Sequence, residues 1–416
     1  TPLPARAPSL PDSEVVFGPS QMDFDIADYL KESGGYLSQH QEYLSSTGWT
    51  GAAEIVERVA LANSINPRLL LALLDYQCGC VRGPAPADLK ASYFLGVEDH
   101  RRTGLYGQLW WAANQLSAGF YGWQEGWLSE FTLPNKTAVR PASGAGAGGV
   151  ALQVYFARLW AAQDQSARVG PRAWALSHPN AFNAADWERA VDPQQGFLAF
   201  YEAMFGDYTT RARAVEPLLP DGLAQPPLIL PFEPGRLWSF TSGPHKAWEN
   251  EGSWAALDFA PASDKNGCLP TKAWVVAAGD GPVVRVGAGL VLQDLDGKTP
   301  SDGAEQTGWA ILYMHIAGQD RVAEGTYLKA GQRIGHPSCE GGPATGTHLH
   351  IARKYNGVWV AAGGEAPFVL DGWTVQVGEK AYAGKMVKDG QVVEAHPYAS
   401  YVTHIRRPEP TPTVRP

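Results

Sequence analysis

The chain has little charge and no long run of basic or hydrophobic residues. Charged residues make up 18% of its 416 residues, the formal net charge is −9, and no Lys/Arg run exceeds two residues. A negative net charge without a basic run argues against a nucleic-acid-binding protein. No apolar run reaches the roughly 18 residues that cross a bilayer, so we expect no transmembrane segment. The length and the 44% hydrophobic content instead fit two or three globular domains.

Cysteine is scarce, because the chain has four cysteines and no CxxC pair that would indicate a structural zinc site. Cys78 and Cys80 lie in the first half and Cys268 and Cys339 in the second, so we expect any cross-link to form within one half. A Cys268–Cys339 disulfide would close a loop of about 70 residues and contribute roughly 4 kcal/mol. The alternative is a pair of buried thiols. A Cys78–Cys80 bridge would be strained, and the pair could equally be reduced.

An initiator methionine is also missing. The chain starts at Thr1, and residues 1–20 begin with a Pro-rich stretch that is typical of a linker. We interpret this start as the result of removing a signal peptide or a membrane anchor from an exported protein. The expected location is therefore extracellular or in the cell envelope.

Helical patterns fill residues 21–212. Residues 51–77 have apolar positions at helical spacing, broken at Asn66-Pro67, where Asn favours an N-cap and Pro the first helical position. The helix that follows is apolar nearly all round, which predicts burial. Further helices are expected at 105–120, 150–161 and 196–205. Residues 132–149 are rich in Pro, Gly, Ala and Ser and predict a flexible loop.

The pattern changes after a Pro-rich stretch. Residues 213–228 predict a linker, and residues 408–416 predict a Pro-rich tail. Residues 229–407 contain short strand candidates bounded by glycine. These candidates are 274–278, 282–286, 289–294, 308–315, 348–354 and 373–377. The predicted fold class is multidomain α and β, with an all-α N-terminal domain and a mainly antiparallel β C-terminal domain that forms an open sandwich or barrel.

The segment GTHLH at 346–350 places two histidines two residues apart. On a β-strand, His348 and His350 point to the same side. His and Asp are ligands of catalytic zinc sites, where the metal activates a bound water. Spacing makes five residues candidates without selecting among them: His245, Asp258, His315, His348 and His350. Each histidine taken singly also has a structural interpretation, and for His336 we favour that interpretation.

Short segments in order along the second half resemble the lysostaphin/β-lytic metallopeptidase family over residues 229–405. They are FTSGPH at 240–245, SWAALDF at 253–259, LYMH at 312–315, GHP at 335–337 and GTHLH at 346–350. The wide spacing of His245 and Asp258 is similar to the β-lytic and staphylolytic branch. The resemblance implies one Zn²⁺ per chain and an enzyme that cuts peptide bonds in bacterial peptidoglycan. It also supports the Cys268–Cys339 disulfide.

The resemblance implies a role for each candidate. The expected zinc ligands are His245, Asp258 and His350. His348 is expected beside the metal, acting on the water or on the tetrahedral intermediate. His315 is expected to stabilise the developing oxyanion or to shuttle protons.

The segment SINPRLLLALLDYQCG at 64–79 resembles the start of a lysozyme-like lytic transglycosylase, a family with a catalytic Glu at the end of this helix. Gln77 stands there instead, and an amide cannot supply the acid that glycan cleavage needs. The resemblance implies an inactive lysozyme-like domain over 21–212 that could bind glycan; the alternative is an unrelated helical bundle. Four tryptophans could line a sugar groove: Trp110, Trp111, Trp123 and Trp127. Burial in the core is the commoner role of Trp.

The sequence thus predicts a secreted zinc metalloendopeptidase that hydrolyses the cross-bridges or stem peptides of peptidoglycan. Two alternatives belong to other classes. A non-catalytic wall-binding protein or regulator would bind peptidoglycan without releasing products, and the complete set of five residues argues against it. A glycosidase that uses the helical domain would create new reducing ends, and Gln77 argues against it.

Overall fold

The computed structural model describes residues 10–85, 93–169, 184–192, 194–248, 251–262, 267–296, 304–398 and 401–409. The chain divides into two compact units, Thr1–Leu218 with Trp248–Gly252, and Leu219–Ala247 with Ser253–Pro416. The outer parts of the predicted N-terminal linker and C-terminal tail lie outside the described residues. In the part of the chain that is described, no helix is long and apolar enough to cross a membrane.

The first unit is built mainly from helices. They are α1 (Ile26–Ser33), α2 (Ala52–Asn63), α3 (Pro67–Cys78), α4 (Gly104–Gln124), α5 (Ala147–Val169), α6 (Ala184–Ala190), α7 (Phe197–Phe205) and α8 (Tyr208–Arg213). The predicted break between α2 and α3 is confirmed, because the Asn66 side chain accepts hydrogen bonds from the amides of Arg68 and Leu69. Every residue of α3 from Pro67 to Asp75 is buried, as its apolar pattern predicts.

The prediction of an all-α first domain is wrong in two places. Antiparallel hairpins form between β1 (Gln41–Leu44) and β2 (Gly48–Gly51), and between β3 (Phe131–Thr132) and β4 (Ala138–Val139). The second hairpin begins the segment that was predicted as a flexible loop. Strands of two to four residues are too short to produce the alternating pattern by which a strand is recognised.

The second unit is built from strands, and the prediction of a mainly antiparallel β-domain is confirmed. The strands are β5 (Leu237–His245), β6 (Ala256–Pro261), β7 (Val275–Val276), β8 (Gly281–Gly287), β9 (Leu290–Asp294), β10 (Trp309–Met314), β11 (Tyr327–Leu328), β12 (Arg333–Gly335), β13 (Leu349–Tyr355), β14 (Val358–Trp359), β15 (Val369–Leu370), β16 (Trp373–Val377), β17 (Gly384–Lys388), β18 (Gln391–Glu394) and β19 (His404–Arg406). The large sheet has nine strands in the order β11-β8-β9-β10-β13-β6-β5-β19, with β14 paired to β13. A second sheet has the order β15-β16-β17-β18, and β12 pairs with β7.

One face of the large sheet packs into the core of the second unit. Core side chains come from both sheets and include Trp238, Phe259, Ile311, Ile351 and Met386. Because side chains alternate along a strand, the residues between these core positions lie on the opposite face of the sheet. This opposite face carries the predicted site residues of β6 and β13.

Part of the Pro-rich segment predicted as a linker, residues 213–228, is hydrogen-bonded within the second unit. Gln225 Nε2 donates to Val369 O at 2.6 Å, and Gln225 Oε1 accepts from the buried guanidinium of Arg353. The amide of Asp371 donates to the carbonyl of Leu228 at 2.8 Å. A buried guanidinium needs acceptors, so this end of the segment is an ordered part of the unit rather than a free spacer.

Candidate active site

Three neighbouring strands of the large sheet carry the predicted metal ligands. His245 ends β5, Asp258 lies in β6, and His350 lies in β13 directly opposite Asp258. The residues that flank Asp258 and His350 along these strands belong to the core: Leu257, Phe259, Leu349 and Ile351. Alternation along the strands therefore turns Asp258 and His350 to the face away from the core.

The three side chains approach one another closely. His245 Nε2 lies 3.3 Å from Asp258 Oδ1 and 3.1 Å from His350 Nδ1. His350 Nδ1 lies 3.2 Å from Asp258 Oδ1. All three residues are buried, and one ligand atom from each lies within 4.8 Å of the other two. Because zinc–ligand bonds are about 2 Å long, these distances suit one cation that contacts all three atoms.

Backbone carbonyls fix the orientation of both imidazole rings. His245 Nδ1 lies 2.9 Å from Gly243 O, and His350 Nε2 lies 3.1 Å from Ala247 O. A carbonyl only accepts, so we assign protons to these two nitrogens and lone pairs to His245 Nε2 and His350 Nδ1. Asp258 Oδ1 is buried and has no hydrogen-bond donor among the described residues. Three buried acceptors that face one another fit a bound cation, and two His with one carboxylate form a ligand set that Zn²⁺ prefers.

The same contacts shift the ionisation of the three groups. Burial acts to raise the pKa of Asp258, but the adjacent imidazoles, His245 foremost, outweigh it and hold that pKa well below its usual value. Burial acts to lower the pKa of His245, and the carboxylate of Asp258 outweighs it, so that pKa is raised. At His350 burial dominates and lowers the pKa. A charged carboxylate and a neutral imidazole are the forms in which these groups bind a metal.

His315 and His348 lie beside this cluster. The centroids of their rings are 4.4 Å apart, and His348 Nε2 lies 3.7 Å from Asp258 Oδ1. His348 directly precedes β13, and His315 directly follows β10, whose last residue pairs with His350. The structure thus brings all five predicted site residues together, with three in a metal-binding geometry and two next to them.

Both flanking rings are held through Nδ1. His315 Nδ1 lies 2.8 Å from Glu340 O, and His348 Nδ1 lies 2.8 Å from Gly346 O. We therefore assign the ring proton to Nδ1 and a lone pair to Nε2 in both residues. Burial, followed by the neighbouring His348, lowers the pKa of His315 to about 4, so this ring is neutral near pH 7. Each ring can therefore accept a proton at Nε2 before it donates one.

A disulfide between Cys268 and Cys339 joins two loops that support these rings. Cys339 directly precedes the residue whose carbonyl accepts from His315. Cys268 directly follows a residue whose carbonyl accepts from the amide of Thr347 at 3.1 Å. Since Thr347 directly precedes His348, the cross-link restrains the backbone on both sides of the histidine pair.

Sequence reasoning missed Tyr382. Its ring stacks on the ring of His245 with 4.6 Å between centroids and 21° between planes, yet the residue is 59% exposed. Its amide donates to Pro244 O at 3.0 Å, and its carbonyl accepts from the amide of Gly243 at 2.9 Å. A substrate bound at the cluster can therefore reach this ring. No motif marks Tyr382, because only the pairing of its loop with the end of β5 places it there.

His336 and the Cys78–Cys80 pair, which the sequence also singled out, lie outside the metal-binding cluster. The ring of His336 packs on Trp274 with 3.9 Å between centroids, and His336 Nδ1 lies 2.7 Å from Ala273 O. This residue lies outside the ligand set, in line with its structural interpretation. Cys78 and Cys80, whose state the sequence left open, form a disulfide.

The four tryptophans that could line a sugar groove differ in their exposure. Trp111 is only 6% exposed, so it cannot offer a ring to a ligand. Trp123 Nε1 donates to Ala145 O at 2.8 Å, and the ring of Trp110 packs on Tyr106 at 5.3 Å. Trp111 is thus buried in α4, as the commoner role of Trp predicts, whereas Trp110 and Trp123 are half-buried. Trp127 alone among the four is classed as exposed, at 39%.

Comparison with known proteins gives matches in both halves of the chain. Residues 8–217 match the family model described as LasA, N-terminal domain. Protease LasA of Pseudomonas aeruginosa strain UCBPP-PA14 is 26% identical over 377 residues, which cover 87% of this chain and 77% of the relative. Protease LasA of strain PAO1 is 26% identical over 379 residues, with the same coverage.

Solved structures also match the chain. The M23 metalloprotease pseudoalterin from the deep sea is 23% identical, covers 40% of this chain and 94% of its own, and has a TM-score of 0.33. The catalytic domain of lysostaphin from Staphylococcus simulans is 25% identical, covers 30% of this chain and 87% of its own, and has a TM-score of 0.21. The matches to LasA confirm the predicted family resemblance. Because the family model spans about half of the sequence, we conclude that the chain belongs to the LasA family.

Proposed function

We propose that the protein is an exported zinc metalloendopeptidase that hydrolyses peptide bonds in the cross-bridges or stem peptides of bacterial peptidoglycan. The observation that carries the proposal is the cluster of His245, Asp258 and His350, in which three buried acceptor atoms face one another. Further support comes from the relatives named Protease LasA. The absence of a basic run fits a partner other than nucleic acid.

His245 Nε2, Asp258 Oδ1 and His350 Nδ1 are the atoms that would hold the metal. In both histidines the other ring nitrogen, His245 Nδ1 or His350 Nε2, is hydrogen-bonded to a backbone carbonyl. This bond orients the ring and makes the nitrogen that faces the metal a stronger ligand. When bound there, Zn²⁺ lowers the pKa of a water and polarises a scissile carbonyl. A three-residue ligand set leaves a coordination position for that chemistry, which is the arrangement of catalytic rather than structural zinc sites.

His348 and His315 supply proton transfer in this proposal. His348 Nε2 is the flanking nitrogen near Asp258, so His348 accepts the proton of the attacking water. His315 is neutral near pH 7 because burial lowers its pKa, so its Nε2 can take over the proton that His348 has accepted and pass it on readily. That one proton, which comes from the attacking water, is donated to the oxyanion or to the leaving amine. The carbonyls of Gly346 and Glu340 hold both rings in place during the transfer.

The helical unit is proposed to position the enzyme rather than to cleave glycan. Gln77 lies in the last turn of α3, where the lysozyme-like resemblance calls for a carboxylic acid. The lysozyme-like character of residues 21–212 and the assignment of peptidase activity to residues 229–407 stay predictions. A gain of glycan cleavage on Gln77→Glu substitution would support the lysozyme-like assignment.

The test is mass spectrometry of purified peptidoglycan after digestion by the zinc-loaded protein. We expect new amino termini that identify the bond, at least about 100-fold fewer with His348→Ala, and unchanged release with His396→Ala. His396 is a matched control because it is exposed and lies outside the cluster. Zinc content, measured on each variant, must stay near one per chain for His348→Ala, since this residue is proposed to act beside the metal rather than to bind it.

Peptidoglycan that is bound but not cleaved by the zinc-loaded protein would contradict the proposal. That outcome would favour the alternative, a non-catalytic wall-binding protein or regulator. An equal loss of cleavage with His348→Ala and His396→Ala would instead show that the assay does not report on this site.

A further inference from the structure

A second concave site lies in the helical unit. A cavity of about 840 Å³ opens between segments 34–41 and 82–85. Its lining includes five polar side chains: Tyr36, Gln39, His40, Gln41 and Arg82. This volume lies within the range of about 300–1,000 Å³ that is typical of small-ligand sites, and the lining offers both donors and acceptors.

The walls of the cavity are fixed by contacts within the unit. The amide of Tyr36 donates to Gly83 O at 2.8 Å, which joins the two wall segments. Arg82 Nε donates to the buried carboxylate of Asp75 at 2.7 Å, so the guanidinium is held in place. Gly35 has no side chain where a Cβ would overlap the carbonyl of Val81. The cavity is therefore preformed, which lowers the entropic cost of binding a ligand.

His40 helps to shape the wall of the cavity. Its Nδ1 lies 3.3 Å from the hydroxyl of Tyr36, and its ring packs against Phe94 with 5.1 Å between centroids. Its Nε2 is buried, so the hydrogen bonds to a ligand would come from the other polar side chains of the lining.

Two exposed aromatic rings extend the site along the β1–β2 hairpin. Tyr43 and Trp49 lie directly opposite each other, are 65% and 72% exposed, and have ring centroids 6.0 Å apart. Gln41, which lines the cavity, precedes Tyr43 by two residues on the same strand, so both side chains leave the same face. Glu42, on the other face, accepts from the amide of Leu105 at 2.5 Å and holds the hairpin against α4.

We propose that this cavity and the Tyr43–Trp49 pair form a binding site for a pyranose oligosaccharide. Aromatic faces offer apolar contact to the C–H face of a sugar ring, while the side chains of Gln39 and Gln41 can form hydrogen bonds with its hydroxyl groups. A protein anchor is less well matched, because such anchors fill apolar, desolvated pockets and this lining is polar. The identification of the natural ligand as a peptidoglycan glycan strand rests on the proposed function.

The test is isothermal titration calorimetry of the full chain with chitotetraose, a tetramer of β-1,4-linked N-acetylglucosamine. We expect saturable binding that is weakened at least about tenfold by Trp49→Ala, because the substitution removes an exposed ring that would pack on the sugar. Trp49→Phe should retain most of the affinity, and Gln41→Ala should lose less than Trp49→Ala. Tyr401→Ala is the control, since Tyr401 is an exposed aromatic residue of the second unit and its substitution should leave binding unchanged.

The proposal is overturned if the full chain does not bind chitotetraose, or if Trp49→Ala binds it as well as the unsubstituted protein while retaining its melting temperature. Competition by peptide-free glycan strands supports peptidoglycan as the source of the ligand, and a failure to compete overturns that identification alone. Peptidase activity is measured separately on a sugar-free cross-bridge peptide, and Trp49→Ala should cleave it normally. If the unsubstituted protein binds the sugar but does not cleave the peptide, the proposed peptidase function is overturned and the proposed sugar site is not.

Discussion

The second unit contains two clusters of charged side chains, each of which compensates a buried carboxylate in a different way. In one, Asp258 lies among the imidazoles of the candidate metal site. In the other, Glu305 lies between Arg285 and Lys354, with nitrogen–oxygen distances of 2.6 and 2.7 Å. The clusters are joined by β13, on which Lys354 follows His350 by four residues and therefore leaves the same face.

The difference between the clusters lies in the source of positive charge. A buried carboxylate is stable only when a cation or several donors compensate it. Glu305 has two cations of the chain itself, and although burial opposes ionisation, they lower its pKa to about 2. Asp258 forms no ion pair with Lys or Arg in the described part of the chain, and its neighbours are titratable imidazoles. The first arrangement is complete as folded, whereas the second requires a proton or a metal ion.

The largest expected effect comes from Asp258→Asn. The neutral amide removes the charged ligand, so we expect loss of zinc binding and of peptide hydrolysis, while the fold is retained. The loss of zinc affinity should exceed the roughly 10–100-fold loss that is typical of changes to second-shell residues. Zinc content after dialysis and cleavage of a cross-bridge peptide measure the two effects. Normal zinc content in Asp258→Asn would contradict the assigned ligand set.

Glu305→Gln tests the other half of the comparison. It leaves the buried Lys354 and the half-buried Arg285 without their carboxylate, which we expect to lower the free energy of unfolding by about 3–5 kcal/mol. Zinc content should not change, because Glu305 is not part of the ligand set. Urea unfolding measures the effect, and Glu394→Gln, an exposed residue of β18, is the control that should change stability little. Loss of zinc in a folded Glu305→Gln protein would show that zinc binding depends on Glu305 and that the two clusters are not independent.

The Glu305 cluster also predicts a pH dependence. The pKa of Glu305 is lowered from 4.5 to about 2, so its contribution to stability is present above about pH 4.5 and is lost as the pH falls towards 2. At about 1.4 kcal/mol per pH unit, the full contribution is about 3 kcal/mol. The gap in unfolding free energy between the unsubstituted protein and Glu305→Gln should therefore narrow by about 2 kcal/mol between about pH 6 and pH 3. A constant gap would exclude Glu305 as the titrating group.

The sequence predicted the residues that are close together along a strand better than those that meet across strands. Alternation predicted that His348 and His350 share a face, and the strand that contains His350 runs over 349–355, one residue later than the predicted 348–354. The helix start at Asn66 was predicted because capping depends on local residue types. Selection of His245, Asp258 and His350 from five candidates needed the family resemblance, since spacing carries no register between strands.

Features that depend on contacts distant in sequence were not predicted. Tyr382 reaches His245 only because its loop pairs with the end of β5. The Pro-rich segment was predicted to be a linker from its local composition. That composition gives no sign that Gln225 accepts a hydrogen bond from buried Arg353, which is distant in sequence. The sequence did not mark Tyr43 and Trp49, because their strands are only four residues long. Only the folded hairpin brings the two exposed rings side by side.

The smallest expected effect is the release of a proton when zinc binds. It tests whether the negative charge of Asp258 is compensated by a proton in the metal-free protein and by the metal ion in the zinc-bound protein. Because the pKa of His245 is raised, this ring carries a proton in metal-free protein below that pKa, and zinc must displace it. Titrations with zinc in buffers of different ionisation enthalpy should therefore show release approaching about one proton per zinc below the raised pKa, falling as the pH increases above it. His348→Ala should preserve this release, since the ring lies beside the ligand set. Release that does not change with pH would mean that Asp258, like Glu305, is already compensated by the chain, and the distinction between the two clusters would fail.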